Sequence, residues 1–222
     1  MAEDYLTLIW KANEWPDDGR RPTTTDLAAS LGVTLSTVSA NLKKLARERL
    51  IHYEPYGAIA LTDEGERIAL AVVRRHRLLE TYLVEQLGFP WDQVHDEADR
   101  LEHAASDRLI DRIDAVLGYP DVDPHGDPIP RQGSPRAIPA RLLTSCETGQ
   151  TVQIVRVSDA NSDILRFLTD RSIAVGSVLQ VSSAMSSMGL MAVRYQSETI
   201  ELSAPIATAI HVSPTTGAAA SG

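Results

Sequence analysis

The 222-residue chain predicts a mainly α fold with small β parts: an N-terminal winged helix-turn-helix, a helical module and a C-terminal β-barrel. Three observations predict it. Between Thr24 and Leu61 two short apolar-periodic segments joined by a Gly turn are followed by two strand-like runs. From Thr62 to about Leu117 the apolar spacing is helical, with a single Gly-Phe-Pro interruption. Beyond Cys146 the pattern changes to short alternating runs.

The first helix runs from Glu3 to about Asn13, with Leu6, Ile9 and Trp10 on one stripe and Asp4 beside it; it ends near Trp15-Pro16-Asp17-Asp18-Gly19. Thr24 to Val33 gives a short helix and a tight turn at Gly32, and a second helix opens at a Ser cap, Ser36, and continues to Arg47. Leu27, Leu31, Val38, Leu42 and Leu45 hold this pair together, which leaves Ser36, Thr37, Ser39, Ala40, Asn41, Lys43 and Lys44 outward. Runs 50–54 and 58–61 flank Pro55-Tyr56-Gly57 as a hairpin wing. A long helix follows from Thr62 through Ile68, Val72 and Leu79, then a helix from Trp91 or Asp92 to about Leu117. Half of the twelve prolines fall between 120 and 139, so that stretch reads as a linker. Strands are expected near 151–157, 178–182, 191–195 and 199–202, with a helix near 162–168 and a floppy tail from Pro214. The resulting domains are 1–64, 65–118, a linker at 119–144, 145–213 and the tail 214–222.

Composition narrows the function. Apolar runs are short and the N-terminus is acidic, so neither a membrane span nor a secretory peptide is expected. One cysteine, Cys146, excludes an internal disulfide and fits a reducing, cytoplasmic setting. The net charge of −9 argues against nucleic acid until its distribution is read. Residues 20–60 carry six bases and three acids, and this basic segment coincides with the helix-turn-helix. A local patch contacts phosphates while the remainder repels them. Ser36, Thr37, Ser39 and Asn41 are therefore the expected base readers in the major groove, and Lys43, Lys44 and Arg47, with Arg20 or Arg21, the phosphate contacts.

The middle helices point to metal. His95, Asp99, Glu102 and His103 span an arc of roughly 100° on one helical face, and imidazole plus carboxylate is the ligand set of a divalent transition metal. His76 and Glu80 add a second i, i+4 pair upstream. His95 and His103 stand roughly 12 Å apart along the axis, whereas metal bonds are only about 2.0 to 2.2 Å. Two sites are therefore expected: one on Asp99, Glu102 and His103, the other on His95 with His76 and Glu80. Taken singly, each of these residues would read as part of a solvated polar face.

The order winged helix, two-helix metal module, proline-rich stretch and small β-module resembles the diphtheria toxin repressor family of metal-dependent transcription repressors. The residues that carry the resemblance are Val94 to His103, Arg75-His76-Arg77-Leu78-Leu79-Glu80, and Pro124-His125-Gly126-Asp127-Pro128-Ile129-Pro130. It implies an SH3-like C-terminal domain, dimerisation through the helical module, and a metal that clamps the first helix to that module through Asp4, Asp99, Glu102 and His103. Iron-sensing members carry Met and Cys where this chain has Asp4 and Asp99. Carboxylate oxygens are harder donors, so the chain resembles the manganese branch, with Fe²⁺ as a possible activator and Co²⁺ or Zn²⁺ as in vitro substitutes. Short members of that branch place a Glu one turn after the first Asp, where this chain has Thr7; its loss favours two separated ions over a close pair. In three-domain relatives the SH3-like domain lends ligands to the second site. Asp163 matches that position, with Asp159 or Asn161 nearby. The resemblance implies a homodimer on a palindromic double-stranded operator and repression of metal-uptake genes.

Two rivals remain. A di-metal hydrolase or oxidase lacks support, since neither His-Glu-x-x-His nor paired Glu-x-x-His occurs. A winged-helix regulator responding to a small organic ligand would leave the acidic face merely solvated.

Overall fold

A computed structural model describes residues 2–15, 22–54, 58–131 and 140–215. In the N-terminal domain, α1 (Ala2–Glu14) buries Tyr5, Leu6 and Ile9 against Leu27 of α2 (Thr24–Leu31) and Val38, Leu42 and Leu45 of α3 (Leu35–Arg47). The same core takes Ile51 and Ile59 from the antiparallel wing, β1 (Ile51–Tyr53) and β2 (Ile59–Leu61). The wing turn, 55–57, and Arg20 and Arg21 lie outside the described residues. α3 starts two residues earlier than expected because Thr34, not Ser36, is its cap: Thr34 Oγ1 accepts from the Thr37 amide at 3.2 Å. Such a cap stabilises a helix by about 1 kcal/mol.

Thr62 turns the wing into α4 (Asp63–Leu87), donating its hydroxyl to Arg49 O and accepting from Gly65 N. Gly65 is required at that crossing, since a Cβ there would stand 2.0 Å from Leu50 O. The 25 residues of α4 reach roughly 37 Å and carry the chain from the wing into the helical domain. The single helix expected after Trp91 is instead two, α5 (Val94–Glu102) and α6 (Asp107–Val116). The break follows from Ser106, whose hydroxyl caps α6 through the Leu109 amide. Leu78, Leu79, Ala98, Ile110 and Ile113 form the core here, and Ile129 joins them.

Ile129 belongs to the stretch expected as a linker. Residues 119–131 of that stretch form a packed strap: Asp123, His125, Asp127 and Ile129 are buried, while 132–139 lie outside the described residues. Proline-rich chain lacks amide donors and can lie flat on a surface, and the buried amides that remain are satisfied internally. Asp123 accepts from the amides of His125 and Asp127 at 2.8 and 3.0 Å, and Asp123 N donates to Asp127 O. Gly126, at φ +90°, passes so close to β4 that a Cβ would meet Val155 O at 2.0 Å.

The C-terminal domain is one antiparallel sheet in the order β3-β8-β4-β5-β6-β7. Its strands are β3 (Arg141–Leu142), β4 (Thr151–Val157), β5 (Val178–Ser183), β6 (Leu190–Tyr195), β7 (Glu198–Ser203) and β8 (Ile210–Pro214), with α7 (Ser162–Thr169) and α8 (Ala204–Thr208). Alternate residues such as Val152, Ile154, Leu179, Val181, Met191 and Val193 fill one core. Pro214, expected to open the tail, pairs with Val152 at the end of β8; residues 216–222 lie outside the described residues.

Candidate metal centre

α4, α5, the start of α1 and the turn after β4 bring the expected donors together. His76, on the buried face of α4, lies between two groups. Its Nε2 is 2.9 Å from Glu80 Oε1 and 3.2 Å from His95 Nδ1. Its Nδ1 is 2.8 Å from Glu102 and 3.2 Å from Asp99. The second set is completed by Asp159, whose Oδ2 is 3.0 Å from His95 Nδ1. Glu80, His76, His95 and Asp159 thus offer four donor atoms, all within 4.8 Å of one another. Edges near 3 Å are those that bonds of about 2.1 Å produce around one ion.

Asp163 does not take part. It pairs with Arg166 on the exposed side of α7, with 81% of its side chain open, and its place is taken by Asp159, in the turn that leaves β4. Asn161, the other neighbour considered, caps α7 through the Asp163 amide.

The first set joins elements far apart in sequence. His103, just beyond α5, places Nε2 2.9 Å from Asp4 Oδ1 and 3.4 Å from Glu102 Oε1. Its Nδ1 is 3.1 Å from Glu3 Oε2, a contact the sequence did not suggest. Asp99 sits one turn back, grouped with His76 and Glu102 within 4.8 Å. Glu102 therefore touches His103 with one oxygen and His76 with the other. Thr7, one turn after Asp4, is buried and its hydroxyl has no hydrogen-bond partner among the described residues.

The electrostatics fit a cation. Burial opposes charging His76, but Glu80, Asp99 and Glu102 outweigh it and hold the imidazole well above its usual range. Hydrogen bonds to Asp159 and Glu80 push His95 up to about 9. Burial would raise Glu80, yet His76, His125 and His95 hold it well below the usual carboxylate range, and His95 does the same for Asp159 against its burial. Clustered carboxylates draw positive charge from whatever supplies it, protons or a metal.

A separate ion-pair group fastens the other end of α1. Arg77 donates to Glu14 through both terminal nitrogens and to Pro128 O, and the side chains of Arg77 and Glu14 are each only 4% exposed. Asp127 accepts from Trp15 Nε1 at 2.7 Å and Arg156 Nε at 2.6 Å, so α1, the strap and β4 meet there. Burial lifts Glu14 above its ordinary value even though Arg77 opposes the rise.

On α3, Ser36 and Thr37 are exposed, with hydroxyls 2.8 and 2.9 Å from Thr34 Oγ1. Lys43, Lys44 and Arg47 are exposed too, and Ser39 is half-buried. Asn41 differs from the outward reader expected: it donates to Tyr5 Oη at 3.3 Å and Thr37 O at 3.1 Å, which ties α3 to α1.

Comparison with known proteins matches three successive segments of the chain. Residues 1–59 match the iron dependent repressor N-terminal DNA-binding domain, 62–131 the iron dependent repressor metal-binding and dimerisation domain, and 141–214 the FeoA domain. The iron-dependent repressor IdeR of Mycobacterium tuberculosis is 32% identical over 183 residues, covering 72% of this chain and 78% of that one. The chain belongs to the iron-dependent repressor family. The diphtheria toxin repressor of Corynebacterium glutamicum is 29% identical, covering 97% of each chain. A solved manganese-dependent transcriptional repressor in complex with manganese is 46% identical, with TM-score 0.89 over 96% of this chain and 100% of that one. The manganese regulator SloR gives 28% identity and TM-score 0.78, covering 96% and 98%. As a member of this family the chain is a metal-dependent transcriptional repressor and not an enzyme, and its strap falls within the family's dimerisation domain.

Proposed function

We propose that this repressor is activated by Mn²⁺, with Fe²⁺ as a secondary activator, and binds a palindromic operator as a homodimer in the cytoplasm to control manganese uptake. One observation carries the reading: Asp4 on α1 meets His103 at 2.9 Å across 99 residues of sequence, in a donor set built of carboxylates and imidazole with no sulfur. Hard oxygen donors suit Mn²⁺, and the 46%-identical relative is described in complex with manganese.

Asp4, Asp99, Glu102 and His103 hold the first ion, and His76, Glu80, His95 and Asp159 the second. Each ion supplies two positive charges and directional bonds that replace the protons and repulsion among these carboxylates. Asp4 carries the DNA-binding domain with it, because Tyr5, Leu6 and Ile9 beside it are locked in that domain's core. Glu14, ten residues on and roughly 15 Å along the helix, is fastened separately by Arg77, which is not one of the metal donors. α1 is then a lever hinged at Glu14 and clamped at Asp4. Clamping fixes the angle of α3 to the dimerisation domain, so both recognition helices meet half-sites about 34 Å apart or a multiple of that. Lys43, Lys44 and Arg47 contact phosphates, while Ser36, Thr37 and Ser39 face base edges and Asn41 braces α3 against α1.

Fluorescence anisotropy of a labelled palindromic operator tests this. Tight binding that appears with Mn²⁺ and vanishes with chelator is expected; binding indifferent to chelator would refute it.

A further inference from the structure

Between the end of α1 and the FeoA domain lies a cavity of about 590 Å³ whose lining includes none of the metal donors. That volume suits a small organic ligand. Lys11 and Trp15 of α1 line it together with Arg156 and His211, which are register partners on β4 and β8. The indole is held in place: Arg156 stacks over it at 4.8 Å, the His211 ring lies 5.1 Å away, and its N–H donates to Asp127. Ile164 of α7 and Ala204 and Pro205 of α8 add an apolar wall.

Donors dominate the polar lining. Lys11 makes no hydrogen bond or ion pair among the described residues. Arg156 gives Nε to Asp127 and Nη1 to His211 Nδ1 at 3.4 Å, which leaves Nη2 without a partner among those residues. Asn161 uses its side-chain oxygen to hold the Asp163 amide, so its NH₂ group remains for a ligand. Among the described residues no Asp or Glu lines the space: Asp159 sits in the turn between Ser158 and Ala160, but its carboxylate turns to His95 at 3.0 Å. In a chain of net charge −9, a pocket of cations and donors without a carboxylate selects anions.

We propose that this cavity binds a small organic anion, a carboxylate or phosphate monoester on a short apolar body, as a second effector of the repressor. Lys11, Arg156 and Asn161 take the charged head through charge-assisted hydrogen bonds, and Ile164, Ala204 and Pro205 cover the body. Occupancy favours the metal-bound state in two ways. The ligand ties α1 to the turn that carries Asp159, and it draws towards itself the Lys11 ammonium, whose charge otherwise acts on Asp99 and Asp159. By linkage, metal and anion tighten each other by one common factor. The coupling rests on the metal reading of those two carboxylates; the binding site does not.

Calorimetric titration of the full chain, metal-free and loaded with Mn²⁺, tests this with three probes: hexanoate, hexyl phosphate and the neutral hexanamide. At least one of the two anions should bind once per chain with a Kd near or below about 1 mM, and hexanamide about tenfold more weakly or not at all. The tighter anion shows whether a carboxylate or a phosphate is the native head. Lys11→Met removes the cation, and Thr208→Trp fills the mouth from an exposed position far from the metal donors; each should weaken the anion about tenfold while operator binding at saturating Mn²⁺ is kept. Mn²⁺ should tighten the anion about threefold or more, and the anion should lower the Mn²⁺ midpoint of operator anisotropy by the same factor. No binding of either anion at about 10 mM, equal binding of hexanamide, or binding untouched by both variants would overturn the site. Equal anion affinity with and without Mn²⁺ would overturn the coupling. Each of these results leaves the operator's response to Mn²⁺ alone, and with it the proposed function, standing.

Discussion

Replacing Asp4 by Ala removes one donor of the clamp and leaves the helix that carries it in place. Asp4 is 33% exposed, and the neighbours that hold α1 in its domain, Tyr5, Leu6 and Ile9, are untouched. The stability lost is the helix-dipole contribution of one acid in the first turn, about 0.3 to 1 kcal/mol. The metal-binding loss is larger. Four-donor structural sites bind with about 10 to 16 kcal/mol, or roughly 2.5 to 4 per donor. Oxygen-bound Mn²⁺ belongs at or below the low end, so Asp4→Ala should cost about 2 to 3 kcal/mol, roughly 30- to 150-fold in affinity. Operator anisotropy titrated with Mn²⁺ should show the activation midpoint moved to higher metal by that factor, with the plateau recovered at saturation. A midpoint unchanged within threefold would refute the assignment of Asp4 to the clamp.

Four further outcomes follow from the same geometry. Asp159→Ala should remove the second ion and Asp163→Ala should not, as read by metal stoichiometry; the reverse would restore Asp163. Because the surrounding carboxylates hold His76 well above its usual range and push His95 up to about 9 in the metal-free protein, filling the second set at neutral pH expels a proton from each ring, about two in all. The logarithm of its affinity should rise with a slope of about 2 between pH 6 and 8, with the His95 share of that slope lost as pH passes about 9, and calorimetry in buffers of different ionisation enthalpy should give the same proton count; a slope near zero would contradict it. Arg77→Met strands Glu14 in the interior, a loss of about 3 to 5 kcal/mol that lowers the unfolding midpoint by roughly 6 to 20 °C, with or without Mn²⁺; an unchanged midpoint would remove the hinge. Asp4→Met with Asp99→Cys should move activation towards Fe²⁺ and away from Mn²⁺, and an unaltered metal ranking would count against the hard-donor argument.

What the sequence made legible was local. The spacing of His76 and Glu80, and of His95, Asp99, Glu102 and His103, put the donors on helical faces, and the helix-turn-helix and strand alternation placed the domains. What it could not deliver was long-range pairing. Asp159 and Asp163 lie four residues apart, and only the direction in which β4 ends shows which of them reaches His95. The strap departs from the expected linker because prolines signal exposed chain by composition, whereas Asp123 accepts from the amides of His125 and Asp127 and so lets the segment be buried. The signal that could have found it was His125-Gly126-Asp127, a His and an Asp around a glycine within a proline run. The break between α5 and α6 turned on one cap, Ser106, in a stretch whose apolar period continues through it.

The central claim is that metal fixes the orientation of the DNA-binding domains by fastening α1. Single-molecule energy transfer between dyes on Glu48→Cys, an exposed position just beyond α3, in both protomers and in a Cys146→Ser background, measures that orientation directly. With chelator the inter-dye distances should spread broadly; with Mn²⁺ they should collapse to one narrow population matching the half-site spacing, and Asp4→Ala should need more metal to reach it. A distribution equally broad with and without Mn²⁺, while operator binding still switches on, would contradict the clamp.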